Sequence, residues 1–327
     1  MIDDLQNEPL PHGSSSGEPP QNDFVPFASP PAWHEPPPSS RVPNFGHAVL
    51  FISCVFLALL LAQLMLLHPD AHAAAPTVQP KLQLAAMVLA YAATLGFCFL
   101  VFPLFWRRSF LAGVQWNGME ALRLLPRLLF LGFVVGVSVQ AISSLIPMPK
   151  SIPMDDFFRS RSDVWLVTAF GTLLAPLLEE IAFRGFLLPA FTIAFDWLGP
   201  VVRYVMRFSF DRLRDQPPPE HFIVFREDAW AGTIEGTDNL TFRSRAALVA
   251  ASLVTSFCFA LLHADQLAHA LPALTVLFCV SLVLTVVRIR TRSVACSTLV
   301  HSCYNLSVFI TLFVATGGYR PLDRMAR

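Results

Sequence analysis

The chain has 327 residues, of which 54% are hydrophobic and only 14% charged, and its mean hydropathy is +0.54. An ordinary soluble chain carries about 25% charge, so this composition excludes a soluble globular enzyme and points to a membrane protein. Lysine plus arginine equals aspartate plus glutamate at 23 each, which leaves no basic footprint for nucleic acid.

Residues 1–45 hold 11 of the 27 prolines, with serine runs and scattered acids. Such a segment cannot bury enough apolar surface to offset its ordering entropy, so a disordered tail is expected. It lacks the basic start and early apolar core of a signal peptide. Its proline clusters suit a solvated tail better than a polyproline ligand.

Apolar runs follow, each near the roughly 20 residues that a 30 Å hydrocarbon core requires. They predict helices at 46–67, 82–106, 127–147, 164–190, 246–263, 270–288 and 293–316. Residues 192–208 carry Asp196, Arg203, Arg207 and a Gly199-Pro200 break, a pattern of an interfacial or re-entrant helix rather than a full span. The fold class is therefore an all-α polytopic membrane protein, a bundle of seven to eight transmembrane helices. The expected divisions are the tail 1–45, the first membrane helices 46–160, a core 161–316 and a short tail 317–327.

Basic residues set the expected orientation. Arg107, Arg108, Arg123 and Arg127 lie in one connection, seven arginines lie in 203–245, and Arg288, Arg290 and Arg292 lie in a third. The opposing connections 68–81 and 264–269 hold only Lys81, although Lys150, Arg159 and Arg161 break the pattern in 148–163. The basic side and the N-terminus are assigned to the cytoplasm. The polar stretch 209–245, in which HFIVF and TIEG suit a small hairpin or a mobile loop, is a candidate for substrate or partner contact. The six cysteines, Cys54, Cys98, Cys258, Cys279, Cys296 and Cys303, all sit in apolar runs without a CxxC pair and read as buried hydrophobes.

The informative span is WLVTAFGTLLAPLLEEIAFRGFLLPAF, Trp165 to Phe191, whose only charges are Glu179, Glu180 and Arg184. An ionisable group at membrane depth costs at least about 2.5 kcal/mol and reads by default as a functional site. Glu180 and Arg184 are four apart and can pair on one helix face. Glu179 points about 100° away and is free to meet other helices. The competing reading is a helix end at the interface, with Pro176 and Gly185 as breaks and the charges snorkelling to water.

Two later spans carry histidine. Phe259 precedes His263 by one turn, and His301 and Asn305 lie four apart on a shared face. Glu179, His263, His301 and Asn305 come from three helices, and each needs a polar partner in the bilayer, so they are expected to converge around water. A glutamate so placed can serve as general base toward water, a histidine can hold that water, and a second imidazole and an amide can donate to an oxyanion. That is equipment for amide hydrolysis without a covalent nucleophile.

The strings EEIAFR (Glu179, Glu180, Arg184), FALLH (Phe259, His263) and HSCYN (His301, Asn305) resemble, in order, the EExxxR, FxxxH and HxxxN motifs of the CPBP family, the CAAX prenyl protease and bacteriocin-processing intramembrane endopeptidases. The resemblance covers about 160–316. It implies a glutamate-dependent endopeptidase in which Glu179 activates water with His263, while His301 and Asn305 form the oxyanion site. Glu180, Arg184 and Phe259 would support that geometry, and no cofactor is implied. The stretch 209–245 looks like an insertion into the family's core. The partners implied are the bilayer and a membrane-associated peptide or protein substrate, and the short loops fit a bacterial inner membrane.

Other readings stay open at this point. A metal enzyme could use the same four residues as ligands, although no HExxH motif occurs and His34-Glu35 lies in the tail. Serine chemistry finds only Gly13-Ser14-Ser15-Ser16, also in the tail. A transporter would show paired halves, whereas these polar residues all fall in the second half. A non-catalytic scaffold or immunity-type binding protein would keep the same residues without turnover.

Overall fold

The computed structural model describes residues 43–66, 79–146, 161–196 and 245–319, with the single positions 158 and 198. Among the described residues seven helices are long and apolar enough to cross a membrane. They are α1 (Phe45–Leu66), α2 (Gln79–Trp106), α5 (Leu125–Ser143), α6 (Arg161–Asp196), α7 (Arg245–Leu262), α8 (Leu271–Thr291) and α9 (Val294–Ala315). Two short helices, α3 (Phe110–Gly113) and α4 (Gly118–Arg123), fill the connection that sequence treated as a plain basic loop. Each has a local cause. Ser109 Oγ accepts from the Ala112 amide and Asn117 Oδ1 from the Glu120 amide, satisfying backbone donors that a helix start leaves free.

Most spans lie within four residues of their expected bounds, because apolar run length is set by the bilayer rather than by packing. The exception is α6. Its 36 residues would extend roughly 50 Å at 1.5 Å per residue, well past one hydrocarbon core. Residues 192–196 continue it unbroken, so the stretch expected as a separate helix at 192–208 begins as the end of α6. From 197 onward, position 198 apart, that stretch lies outside the described residues, as do 209–244 with the expected hairpin and the tail as far as residue 42.

Neither Pro176 nor Gly185 breaks the helix. Instead α6 widens twice, into π-helical turns at Phe170–Leu174 and Ile181–Leu187, on either side of the α-helical Ala175–Glu180. In the first, the Ala175 amide donates to the Phe170 carbonyl, five residues back. The widened turn lets the chain pass Pro176, whose ring would otherwise clash with the carbonyl four residues earlier.

Close helix contacts hold α6 and α9. Gly132 and Gly136 of α5, four apart, face α9: a Cβ at Gly132 would lie 2.6 Å from Cys303 Cβ, and one at Gly136 would overlap Ser307 Oγ. Small residues at this spacing let two backbones approach where no hydrophobic drive separates helix from lipid. An aromatic cluster fixes the other neighbours of α6, with Phe186 stacked on Phe51 of α1 at 4.4 Å and Phe102 and Trp106 of α2 packed beside it. The α3–α4 connection is pinned to the α8–α9 turn. The Val294 amide donates to the Gln115 carbonyl at 3.1 Å, and Arg288 Nη2 to Gln115 Oε1 at 2.6 Å. The arginine-bearing connections at 107–127 and 288–292 thus share one end of the bundle.

Candidate active site

The chemistry-bearing residues come from α6, α7, α8 and α9. Glu180 and Arg184, predicted to pair, do so at 2.8 Å, and both side chains are 0% exposed. This overturns the reading in which they snorkel to an interface. Arg184 also donates through Nη2 to the Ser281 carbonyl at 2.8 Å and the Ser281 hydroxyl at 2.7 Å, both from α8. Its guanidinium carbon stands 5.0 Å from the centroid of the Phe259 ring, a cation–π contact of use in a dry interior. A buried ion pair is tolerable only when its remaining hydrogen-bonding capacity is met; Ser281 meets the part that falls to Nη2, while Arg184 Nε has no hydrogen-bond partner among the described residues.

His301 lies between the two glutamates. Its Nδ1 is 3.0 Å from Glu180 Oε1, and its Nε2 is 3.8 Å from Glu179 Oε2. Because Glu180 is held as a carboxylate by Arg184, it can only accept, so His301 Nδ1 carries the proton and donates it. Nε2 is then the nitrogen turned toward Glu179. Glu179 itself is 15% exposed at the side chain and outside direct hydrogen-bond reach of that nitrogen. A water off the line between them can touch both atoms.

His263 stands at the end of α7. Its Nδ1 is 2.9 Å from the Phe259 carbonyl, so Nδ1 again carries hydrogen and Nε2 is left with its lone pair. The Phe259 ring neighbours both imidazoles, its centroid 4.8 Å from that of His263 and 5.8 Å from that of His301. Asn305 follows His301 by one turn and donates from Nδ2 to the Gly171 carbonyl of α6 at 2.7 Å. Thus α9 contacts α6 at two levels, through His301 and Asn305.

Sequence reasoning grouped His301 with Asn305 and did not expect its hydrogen bond to Glu180. It also missed Ser281 and the Gly171 carbonyl. A serine inside the apolar run of α8 was a visible signal, whereas a backbone carbonyl has none. Among the described residues no three His, Cys, Asp or Glu side chains are gathered as a metal-holding set.

A family model described as type II CAAX prenyl endopeptidase, Rce1-like, matches residues 161–307. The match begins with α6 and takes in every residue described above, while α1 to α5 lie outside it, so it spans just under half of the 327 residues. No curated protein and no solved structure matches the chain. With seven helices among the described residues long and apolar enough to cross a membrane, and with this match over 161–307, the chain is an integral, multi-pass membrane protein.

Proposed function

We propose that this Rce1-like protein is an intramembrane glutamic endopeptidase, in which Glu179 activates a water to hydrolyse a peptide bond of a membrane-associated substrate. The observation that carries the reading is the array of Glu179, His301 and Glu180, in which Glu180 and its counter-charge Arg184 are fully buried while Glu179 is left partly open.

In this reading Glu179 takes a proton from the water as the oxygen attacks the scissile carbonyl, and later returns it to the leaving amine. His263, with its lone pair on Nε2, accepts a hydrogen bond from the water and orients it. The oxyanion of the tetrahedral intermediate falls to Asn305, whose Nδ2 has a second hydrogen beyond the one given to Gly171. His301 can donate from Nε2 only when its ring carries both protons. The basic end of the bundle would face the cytoplasm, and a prenylated C-terminal peptide is the substrate class that the family description suggests.

The test is cleavage of a membrane-tethered reporter peptide by purified protein in lipid, with prenylated and unprenylated versions compared. Wild-type cleavage, lost in Glu179→Gln and indifferent to a strong chelator, is the expected result. Activity that disappears with chelator and returns with zinc would replace the glutamate mechanism with a metal one. A folded wild type that binds the reporter without cutting it would make the protein a scaffold.

A further inference from the structure

The geometry points to Gly171 and Pro176 as positioning residues that hold the Asn305 amide, an inference that rests on the proposed oxyanion role of Asn305. The device is built into the backbone of α6. In a regular helix the Gly171 carbonyl would accept from the amide of residue 175, but in the π turn that amide donates to Phe170 instead. In π register its donor would be residue 176. That residue is proline, which has no N–H. The carbonyl is therefore left without a helical donor in the middle of a membrane span, where an unsatisfied backbone group is costly. Asn305 Nδ2 supplies the missing donor at 2.7 Å.

Glycine at 171 is part of the arrangement. A Cβ there would lie 3.1 and 3.2 Å from two ring atoms of Phe309, one turn beyond Asn305 on α9. Its absence lets α9 come close enough for the short asparagine side chain to reach the carbonyl. Fixing one Nδ2 hydrogen on Gly171 fixes the plane of the amide, and with it the direction of the second hydrogen. The orientation that an oxyanion donor needs before substrate arrives is in this way set by a proline and a glycine that touch no substrate.

Pro176→Ala restores an N–H that can take the Gly171 carbonyl in place of Asn305. The experiment is a double-mutant cycle of Pro176→Ala and Asn305→Ala in purified protein, read by thermal melting and by reporter cleavage. Asn305→Ala is expected to lower the melting temperature by on the order of 2–4 °C in the wild-type background and to leave it unchanged in the Pro176→Ala background. In turnover, Pro176→Ala should lower kcat at unchanged KM, by no more than the about 10²–10³-fold that one oxyanion donor is worth, and the two substitutions together should cost less than the product of their separate losses. If the Pro176→Ala protein does not accumulate, Gly171→Ala serves as the second background, since it moves α9 off the turn and should likewise blunt the effect of Asn305→Ala.

Equal melting losses from Asn305→Ala in both backgrounds, or no loss in either, would overturn the positioning role even if the enzyme cleaves. A cycle that closes as expected in a protein that never cleaves the reporter would leave the device standing and remove the peptidase reading.

Discussion

Glu179 and Glu180 are neighbours on one helix, yet the two faces of α6 that carry them are built on opposite terms. Around Glu180 almost everything is fixed: its Oε1 accepts from Arg184 at 2.8 Å and from His301 at 3.0 Å, Arg184 is held in turn by Ser281, and Glu180 and Arg184 are sealed from solvent. Around Glu179 there is room, with 15% of the side chain exposed and 3.8 Å to the Nε2 of His301. A membrane interior can hold two adjacent acids if one is neutralised in a closed network and the other is left facing polar space. The difference also says where stability and chemistry should separate on mutation.

The largest effect is expected at the closed face. Arg184→Ala would leave Glu180 charged and unpaired in a dry interior, at a cost of about 3–5 kcal/mol, so little folded protein should survive detergent extraction and size-exclusion chromatography. Arg184→Lys should not restore it, because a single ammonium cannot reproduce the planar contacts to Glu180 and to both Ser281 oxygens at once. An Arg184→Ala protein that extracts and melts like wild type would show that the two faces are not different in kind.

At the open face the outcome should reverse. Glu179→Gln keeps size and hydrogen bonding but removes basicity, and on the proposed mechanism turnover should drop about 10²–10⁴-fold. Its melting temperature should stay with wild type, since no partner of Glu179 is left unpaired. Folding loss in this variant would make Glu179 a structural acid like its neighbour.

Ser281→Ala sharpens the contrast at smaller scale. It removes the 2.7 Å contact from Arg184 Nη2 to the hydroxyl but keeps the 2.8 Å contact to the carbonyl. Hydrogen bonds to charged groups contribute about 1.5–3 kcal/mol, so a lower melting temperature is expected with cleavage close to wild type. A selective loss of cleavage would draw Ser281 and Arg184 into the chemistry.

Much of this contrast was legible in the residues. The length of each apolar run announces a span because the bilayer dictates it, and the spacing of Glu180 and Arg184 announces a pair because helix geometry dictates that. The histidines of FALLH and HSCYN declared themselves by being polar where lipid allows few such groups. What the sequence did not announce was which glutamate His301 would hydrogen-bond. Adjacent positions on a helix differ by about 100°, and the π turns at 170–174 and 181–187 shift the register of everything beyond them. A π turn depends on one extra residue being accommodated by neighbouring helices, which no residue type encodes. Pro176 looked like a break for that reason, when the helix had widened to pass it. Ser109 and Asn117 were readable as helix starts, but helices as short as theirs escape a reading based on apolar length.

The smallest effect uses a second acid–arginine pair as a control for the first. Glu120 and Arg123 lie on one face of α4 with 3.7 Å between their charged atoms, but the arginine side chain is 80% exposed and the glutamate 28%. The chemistry matches that of Glu180 and Arg184, and only the surroundings differ. In high dielectric the Coulomb gain is small and ordering two long side chains offsets much of it, so such pairs are typically worth about 0.2–1 kcal/mol. Arg123→Ala leaves Glu120 free to solvate, whereas Arg184→Ala strands an ion. A melting shift of at most about 1–2 °C, screened further by salt, is therefore expected at Arg123, against loss of the folded protein at Arg184. If Arg123→Ala instead destabilised the protein as much as Arg184→Ala, burial would not be what separates the two pairs, and the neutralisation of Glu180 would no longer explain how Glu179 can be left open beside it.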